Sequence, residues 1–276
     1  MQDDWLALFR EQWQDRTFIA FVGTGRIGTE FFASFFNSVL KEGISVHEPI
    51  PDAFNLAMSY IRGKRNTQEA AKEYIRIRSG LFSQMENESC HYFVESNNNL
   101  SLLLPIIKLL FPNYKIVHIV RPPEDYVCSV LGNIQANSYS MYSVDDPRNR
   151  PTATDFSDDS FATKWAQFEQ AEKIAWFWGK YNEVIRSELS GDAHYLRLNF
   201  VDLFKNKPYA SMAEILTFLD IPSLKALSEE EINTHLHSPK NSAKKKIKRF
   251  EEWPIALQEK CKTIFNHFGA EYSLES

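Results

Sequence analysis

Short apolar runs alternate with longer amphipathic segments along most of the chain. The apolar runs lie at 17–23, 44–48, 90–96, 115–120 and 193–200, and each has the length of one strand. Runs of this kind, bounded by glycine or proline, are typical of strands that are buried on both faces of a parallel sheet. The pattern therefore predicts about five buried strands.

Between these runs, apolar residues recur at helical spacing. One predicted helix is a Phe-rich segment that buries Phe32, Phe35, Phe36, Val39 and Leu40 and ends near Gly43. Another starts at Pro122 and Pro123. The other predicted helices are 5–13, 52–88, 101–110, 161–189, 209–221 and 253–268. Strands that alternate with helices indicate βαβ units. The predicted fold class is therefore α/β, with a central parallel sheet flanked by helices.

Composition sets broad limits on the protein. A chain of 276 residues with 43% hydrophobic content can form one domain over 1–276 whose core needs no disulfide or metal. The net charge of −5 gives no general attraction to nucleic acid, so any anion site must be local. No run of 18 apolar residues occurs, and we expect no membrane span.

The cysteines and the first residues of the chain bear on its compartment. Cys90, Cys128 and Cys261 lie far apart, which suggests neither a zinc site nor a disulfide framework. The charged, amphipathic start of the chain lacks the apolar region of a signal peptide. We therefore expect a cytoplasmic protein. The sequence indicates no oligomeric state.

Polar residues follow several of the predicted strands directly. They are Gly23 to Thr29 after the first strand, His47 and Glu48 at the second, Glu95, Ser96 and Asn97 at the third, and Arg121 at the fourth. Ligands of open parallel sheets bind at the carboxyl ends of the strands. These residues therefore form the predicted site.

The loop "GTGRIGTE" at 23–30 has three interpretations. As G-x-G-x-x-G it matches a dinucleotide fingerprint, with Glu48 as ribose ligand, and would make the chain an NAD(P)-dependent dehydrogenase. A Walker loop is excluded, because Thr29 and Glu30 stand where lysine and a hydroxyl residue are required. In the third interpretation, loop amides, Arg26 and the Thr29 hydroxyl hold a phosphate-like group without magnesium.

The segment "VHIVRPPEDYVCSV" (117–130) favours the third interpretation. Arg121 leaves a buried strand at its carboxyl end, and Ser129 lies on the following helix, so both can converge on one phosphate. The alternative is an Arg121 salt bridge to Glu124 or Asp125 and a merely buried serine. Two anion sites without a magnesium motif suggest a nucleotide that carries phosphates at both ends of its ribose.

With these two motifs in this order, the chain resembles the PAPS-dependent sulfotransferases over roughly 17–268. Their 5′-phosphosulfate loop, G-x-x-[RK]-S-G-T-T, is similar to "GTGRIGTE", and their 3′-phosphate motif is similar to "VHIVRPPEDYVCSV". "HYLRLNFVDLFKNKPYASMAEILTFLDIP" (194–222) resembles their Y-E-D-L segment and the next helix. Ile27, Glu30, Pro122, Asn199 and Val201 depart from the family pattern.

The resemblance implies a three-layer α/β/α fold of P-loop type, with 3′-phosphoadenosine 5′-phosphosulfate (PAPS) as co-substrate, adenosine 3′,5′-bisphosphate (PAP) as product and no metal. It assigns the nucleotide to Gly23, Thr24, Gly25, Arg26, Ile27, Gly28, Thr29, Glu30, Arg121 and Ser129. Lys240, Asn241 and Lys244 would contact it from a basic loop at 236–252. Without the resemblance, that loop is a solvated charge run.

The remaining roles concern catalysis and the acceptor. Arg26 would stabilise leaving-group charge, and Glu48 is the preferred base, with His47 and Glu95 as competitors. Glu48 could instead merely cap the next helix. Acceptor contacts are predicted for Asn97, Asn98 and Tyr139, although the two asparagines could instead cap the 101–110 helix. The polar stretch 138–160 is long enough for a lid, and His118, which alternates inside its strand, is expected to be structural.

The expected reaction is sulfuryl transfer to a hydroxyl of a small-molecule, carbohydrate or lipid-like acceptor. A nucleotide-binding module without turnover stays open, since Ile27 and Glu30 remove two loop hydroxyls. The NAD(P)-dependent dehydrogenase is the third possibility.

Overall fold

The computed structural model describes residues 4–136, 140–157, 159–236 and 248–269. Its sheet consists of β1 (Thr17–Val22), β2 (Gly43–His47), β3 (Tyr92–Ser96), β4 (Tyr114–Val120) and β5 (Tyr195–Asn199). All neighbours pair in parallel, in the order β2-β3-β1-β4-β5. The predicted α/β class with a five-stranded parallel sheet is confirmed.

Ten α-helices connect and cover these strands within the described residues. They are α1 (Asp4–Gln12), α2 (Thr29–Val39), α3 (Phe54–Ile61), α4 (Thr67–Asn87), α5 (Leu104–Leu110), α6 (Pro123–Gln135), α7 (Gln170–Leu189), α8 (Pro208–Leu219), α9 (Glu229–Leu236) and α10 (Ile255–His267). Shorter helical turns lie at Asn98–Leu102, Ala153–Asp155, Ala162–Gln167, Asp202–Asn206, Pro222–Ala226 and Phe250–Glu252.

The central strand β1 divides the core into two halves. Phe18, Ala20 and Val22 belong to one buried cluster, whereas Ile19 and Phe21 belong to the other. Because successive side chains of a strand point to opposite faces, both faces of the sheet are covered, and the run is apolar throughout. The three-layer arrangement follows from this double burial.

Two predicted helices are shorter in the structure than the sequence suggested. The prediction of one helix over 52–88 was wrong, because Gly63 has φ +65° and Asn66 starts α4 with a reciprocal capping box to Glu69. The prediction of one helix over 161–189 was also wrong. Its first part is a 3₁₀ turn, and α7 starts after Glu169, which caps it together with Glu172.

The strand order fixes where a ligand can bind. In the sheet, β3 and β2 lie on one side of β1, and β4 and β5 lie on the other, so the chain crosses from one side of β1 to the other between β3 and β4. The crevice at such a switch point, beyond the carboxyl ends of the strands, is the usual ligand site of open α/β sheets. The loop after β1 lies there. That the chain is a single domain over 1–276 stays a prediction.

Within the described part of the chain, no helix combines the length and the apolar character that crossing a membrane requires.

Candidate functional site

The loop between β1 and α2 depends on glycine at its end. Gly28 has φ +88°, and a Cβ there would lie 2.6 Å from Cζ of Phe204. Arg26 also has a positive φ, +56°. Left-handed backbone is unfavourable for residues with a Cβ, so the surrounding structure must hold this conformation in place.

Three side chains hold the loop from behind. Ser101 accepts a hydrogen bond from the Gly23 amide (3.2 Å) and donates one to the Gly23 carbonyl (3.0 Å). The Tyr126 hydroxyl donates to the carbonyl of Thr24 at 3.1 Å. Arg121 Nη1 donates to the carbonyl of Arg26 at 2.9 Å. The loop is therefore pre-formed, as an anion-binding turn before a helix requires.

A Gly28→Ala substitution is expected to lower the free energy of unfolding by about 2–4 kcal/mol, from left-handed strain plus the overlap with Phe204. Gly63→Ala is the matched control, since Gly63 has φ +65° but a Cβ added there would meet no atom within 4 Å. It should cost only about 1 kcal/mol. Urea denaturation measures both, and equal losses would contradict the close-packing of Gly28.

Two arginines meet beside this loop without carboxylate partners. The Nε atoms of Arg26 and Arg121 are buried, and neither has a hydrogen-bond partner in the described structure. Burial lowers the pKa of Arg121, and the nearby charge of Arg26 lowers it further, whereas the carboxylate of Asp125 raises it. A guanidinium stays protonated nonetheless. Two neighbouring cations without a described carboxylate contact are an arrangement that can attract an anion.

The surroundings of Arg121 fix its position. Its guanidinium carbon lies 4.7 Å from the ring centroid of Phe200, and its carbonyl accepts a hydrogen bond from Trp178 Nε1 at 2.8 Å. Asp125, which the sequence offered as a salt-bridge partner, instead lies 4.0 Å from Lys205. Ser129 is buried on α6, the helix that follows Arg121.

A cavity of about 350 Å³ opens beside the loop. Its lining residues are Gly25, Arg26, Thr29, His47, Glu48, Phe54, Asn98, Asn99, Ser140, Pro147, Arg148, Arg150, Phe177 and Tyr181. Six of the residues predicted from the sequence thus share one cavity, namely Gly25, Arg26, Thr29, His47, Glu48 and Asn98. The tips of β1, β2 and β3 bring them together.

Glu48 is the half-buried carboxylate of this cavity. It follows β2 with φ +39°, and its amide donates to the Ser96 carbonyl at 3.2 Å. Burial raises the pKa of its carboxyl group above the ordinary value, while His47 and Arg148 act in the opposite direction and Asp52 and Glu95 reinforce the rise. No hydrogen bond to this carboxylate occurs within the described residues. It is therefore poised to accept a proton.

Glu95 is in a different situation from Glu48. It is fully buried, and it accepts hydrogen bonds from Tyr74, Arg78 and Asn97 at 2.7–2.9 Å. A carboxylate with its oxygens occupied in this way has no free lone pair directed at the cavity. Its surroundings suit a structural ion pair better than proton transfer.

The two asparagines after β3 differ in their contacts. Asn97 is buried, donates to Glu95 and accepts from the Asn99 amide at 3.0 Å, so it caps the short helical turn Asn98–Leu102. Asn98 faces the cavity, and its side chain lies near Gly25. Only Asn98 of the pair is therefore open to a ligand.

Several cavity residues were not identified from the sequence. Arg148 donates to Asp52 at 3.1 Å and lies over the ring of Phe54, 5.0 Å from its centroid. The two arginines of "DPRNRP" (146–151) inside the polar stretch were the available signal. Asp52, the partner of Arg148, gave no signal, because it resembles an ordinary helix cap.

Four residues predicted from the sequence, Tyr139, Lys240, Asn241 and Lys244, lie outside the described residues.

His118 has a structural environment. Its ring nitrogens lie 2.8 Å from the Tyr195 hydroxyl and 2.8 Å from Asn182 Oδ1. Burial lowers the pKa of this imidazole to about 3, so it stays neutral in the core. Among the residues that the structure describes, no cluster of three or more His, Cys, Asp or Glu side chains could hold a metal ion.

Several solved structures that this chain resembles are sulfotransferases. A mouse sulfotransferase, SULT7A1, solved in complex with PAP, is 14% identical, with 96% of this chain and 89% of that chain covered and a TM-score of 0.50. A sulfotransferase domain of the Synechococcus PCC 7002 olefin synthase is 13% identical, with 93% and 98% covered and a TM-score of 0.47. An Alicyclobacillus acidocaldarius sulfotransferase is 11% identical, with 79% and 88% covered and a TM-score of 0.44.

A search of curated proteins found no match. The family model named sulfotransferase domain matches residues 16–264, from the residue before β1 into α10. This chain therefore belongs to the sulfotransferase family, whose enzymes transfer sulfuryl groups.

Proposed function

We propose that this protein transfers a sulfuryl group from PAPS to an acceptor hydroxyl and releases PAP. The observation that carries the proposal is the pair Arg26 and Arg121, whose buried Nε atoms have no partner in the described structure. They stand beside a pre-formed glycine loop at the tip of a parallel sheet. No magnesium is required, because fixed cations and loop amides supply the positive charge.

The two arginines have separate tasks in this proposal. Arg26 and the loop Gly23–Thr24–Gly25–Arg26–Ile27–Gly28–Thr29–Glu30 hold the 5′-phosphosulfate, and Thr29 begins the helix whose amino end faces it. Arg121 and Ser129 hold the 3′-phosphate. Lys240, Asn241 and Lys244, outside the described residues, would cover the nucleotide.

Glu48 is the proposed general base. Its carboxylate takes the proton of the acceptor hydroxyl while the acceptor oxygen bonds to sulfur. The bond between sulfur and the bridging phosphate oxygen breaks, and its electron pair stays on the phosphate of PAP, where Arg26 stabilises the charge. Arg26 and Glu48 line the same cavity, as in-line transfer between donor and acceptor requires.

Glu48 is preferred over its two competitors on chemical grounds. Glu95 is fully buried and already bonded, whereas His47 is exposed and directs Nδ1 to the Ser96 carbonyl at 3.2 Å. A raised pKa and a half-buried position fit a base that must hold a proton transiently. In this assignment the role of His47 is to lower the pKa of the neighbouring Glu48.

The acceptor side of the cavity is bounded by rings and amides. Phe54, Phe177 and Tyr181 supply apolar surface, and Asn98 supplies a hydrogen-bonding group. These contacts suit a hydroxyl-bearing small molecule, sugar or lipid-like acceptor with a ring or apolar portion.

Two further parts of the proposal come from the sequence. Tyr139 contacts the acceptor and the stretch 138–160 acts as a lid, and the protein is cytoplasmic.

The pH dependence of transfer should reflect Glu48. The base acts only when ionised, so the rate should be full above the pKa of Glu48 and fall as the pH drops through it. Because burial raises this pKa, the fall should begin at a higher pH than for an ordinary glutamate. A kcat–pH profile measures it, and a fall at the ordinary glutamate value or below would contradict the assignment.

Isothermal titration calorimetry with PAP tests the proposed donor. We expect saturable binding in the presence of EDTA, and no comparable heat with NADP⁺ under the same conditions. The reverse result would favour the dehydrogenase interpretation of the glycine loop.

A binding module without turnover is the second candidate. Ile27 favours this candidate. Its side chain is fully buried and packs so close to Gly23 that a Cβ added there would lie 2.7 Å from Ile27 Cδ1. It therefore offers PAPS no hydroxyl group. PAP binding without sulfuryl transfer to any acceptor would support it.

A further inference from the structure

A fully buried ion pair lies behind the cavity. Arg78 of α4 donates to Glu95 of β3 through Nε (2.9 Å) and Nη2 (2.8 Å), and both side chains are 0% exposed. A buried pair of this kind usually adds little stability compared with apolar residues of similar size, because both charges lose their hydration. Its geometry therefore calls for another explanation.

The third nitrogen of the guanidinium contacts the backbone. Nη1 of Arg78 donates to the carbonyl of Pro51 at 2.7 Å, with the carbonyl of Pro49 at 3.4 Å. Residues 49–51 directly follow Glu48 and connect it to the segment before α3. One rigid side chain thus spans the end of β3 and the segment that carries Glu48.

The same two oxygens of Glu95 accept one further hydrogen bond each. Tyr74 donates to Oε2 at 2.7 Å, and Asn97 donates to Oε1 at 2.8 Å. Asn97 in turn accepts from the Asn99 amide at 3.0 Å, next to the cavity residue Asn98. The pair therefore connects the segment after Glu48 with the turn that carries Asn98, and its members are satisfied, as a rigid buried network requires.

We infer that Arg78 is a positioning residue for Glu48, which it holds in the cavity by clamping the carbonyls of Pro49 and Pro51 to β3. The inference rests on the proposed role of Glu48 as base. Glu48 has φ +39°, a strained conformation that needs support from both sides. The Ser96 carbonyl holds its amide on one side, and Arg78 holds the following segment on the other.

In this inference Arg78 affects Glu48 by fixing the position of the backbone, not through the electrostatic field of its charge. The charged groups that influence Glu48 are His47, Asp52, Arg148 and Glu95, and these come from β2, the segment before α3, the 140–157 segment and β3. The charge of Arg78 is balanced by Glu95 at contact distance. Loosening the clamp should therefore change the burial of Glu48 and leave the charges around it in place.

Arg78→Lys tests the inference, because lysine keeps the charge but cannot bond to Glu95 and Pro51 in the same fork. The readout is ¹³C NMR titration of glutamate carboxyl carbons, with Glu48→Gln identifying the Glu48 signal. We expect the Glu48 midpoint to fall toward the ordinary value as its carboxyl gains water. PAP affinity should stay unchanged, and kcat should drop on the order of tenfold to a hundredfold from misplacement of the base.

Arg76→Lys is the matched control. Arg76 lies two residues away on α4, its side chain is 68% exposed, and it pairs with Glu73 on the surface. Its replacement should leave the Glu48 midpoint and kcat at the wild-type values. A shift as large as that of Arg78→Lys would overturn the inference.

A second variant covers the case in which Arg78→Lys does not fold. Arg78→Met combined with Glu95→Gln removes the clamp without leaving an unpaired buried charge. The Glu95 carboxylate itself raises the pKa of Glu48, so Glu95→Gln alone, which keeps Arg78, is the reference. The double variant should lower the Glu48 midpoint further than this reference does. A folded double variant with the midpoint of Glu95→Gln alone would show that the pair is only structural and would overturn the inference.

The NMR readout needs neither PAPS nor an acceptor. If wild-type protein transfers no sulfuryl group but Arg78→Lys moves the Glu48 midpoint, the proposed function fails and the clamp stands. If wild-type protein transfers sulfuryl groups and Arg78→Lys leaves both midpoint and kcat unchanged, only the clamp fails.

Discussion

Replacement of Arg121 by alanine should weaken PAP binding by about tenfold to a hundredfold or more, because charge-assisted hydrogen bonds to a phosphate are lost. The side chain is positioned for this task by the Phe200 ring and by its bond to the Arg26 carbonyl. Its buried Nε has no partner within the described structure, and a bound phosphate would supply a counter-charge to the guanidinium. Calorimetry with PAP measures the loss.

Arg16→Ala is the control for Arg121→Ala. Arg16 precedes β1 at the opposite end of the sheet and lies 3.9 Å from Glu86. We expect PAP to bind this variant as it binds the wild type. Unchanged binding in Arg121→Ala, or an equal loss in both variants, would remove Arg121 from the donor site.

Replacement of Glu48 by glutamine should reduce kcat for sulfuryl transfer by on the order of 10²- to 10⁴-fold, the usual contribution of a general base. Glutamine keeps the size of the side chain but cannot take up the acceptor proton. PAP affinity should hardly change, since our proposal assigns Glu48 to the acceptor and not to the nucleotide. Steady-state kinetics together with calorimetry separate these two effects.

Glu42→Gln is the control for the loss of a carboxylate. Glu42 precedes β2 at the end opposite Glu48, and its carboxylate accepts a hydrogen bond from Ser223 at 2.7 Å. Its replacement should leave kcat at the wild-type value. If Glu48→Gln retains full activity while His47→Ala abolishes it, the base is His47 and our assignment is wrong.

The core of the fold was predictable because its cause is local. The stretches 18–22, 93–94 and 116–117 are apolar at consecutive positions, as burial on two faces demands, and Gly23 and Pro122 stand near the ends of β1 and β4. The two helices that were predicted too long, 52–88 and 161–189, are interrupted by the turn at Gly63 and by the capping box of Glu169 and Glu172, respectively. Both signals were in the sequence but were outweighed by the surrounding helical periodicity.

The site was only partly predictable, because it depends on contacts between distant segments. Arg26, Glu48 and Asn98 could be brought together by the rule that ligands bind at strand tips. The rule cannot separate Glu48 from Glu95, since both end a strand. Their difference comes from Arg78 and Tyr74 on α4, which occupy Glu95 and leave Glu48 free.

Arg148 illustrates the same limit from the other side of the cavity. It belongs to a polar stretch of ordinary composition, and only its contacts with Asp52 and Phe54 bring it beside Glu48. Nothing in the spacing of 52 and 148 indicates the pairing. The effect of a distant loop on the pKa of Glu48, the proposed base, becomes visible only in three dimensions.

Transfer of ³⁵S-labelled sulfuryl groups from PAPS, in the presence of EDTA and with phenol, sugar and fatty-alcohol acceptors, tests the central claim most directly. We predict a labelled product with at least one acceptor class, equimolar release of PAP, and loss of both in Glu48→Gln. Tight PAP binding with PAPS left intact and no label transferred to any acceptor would contradict the account.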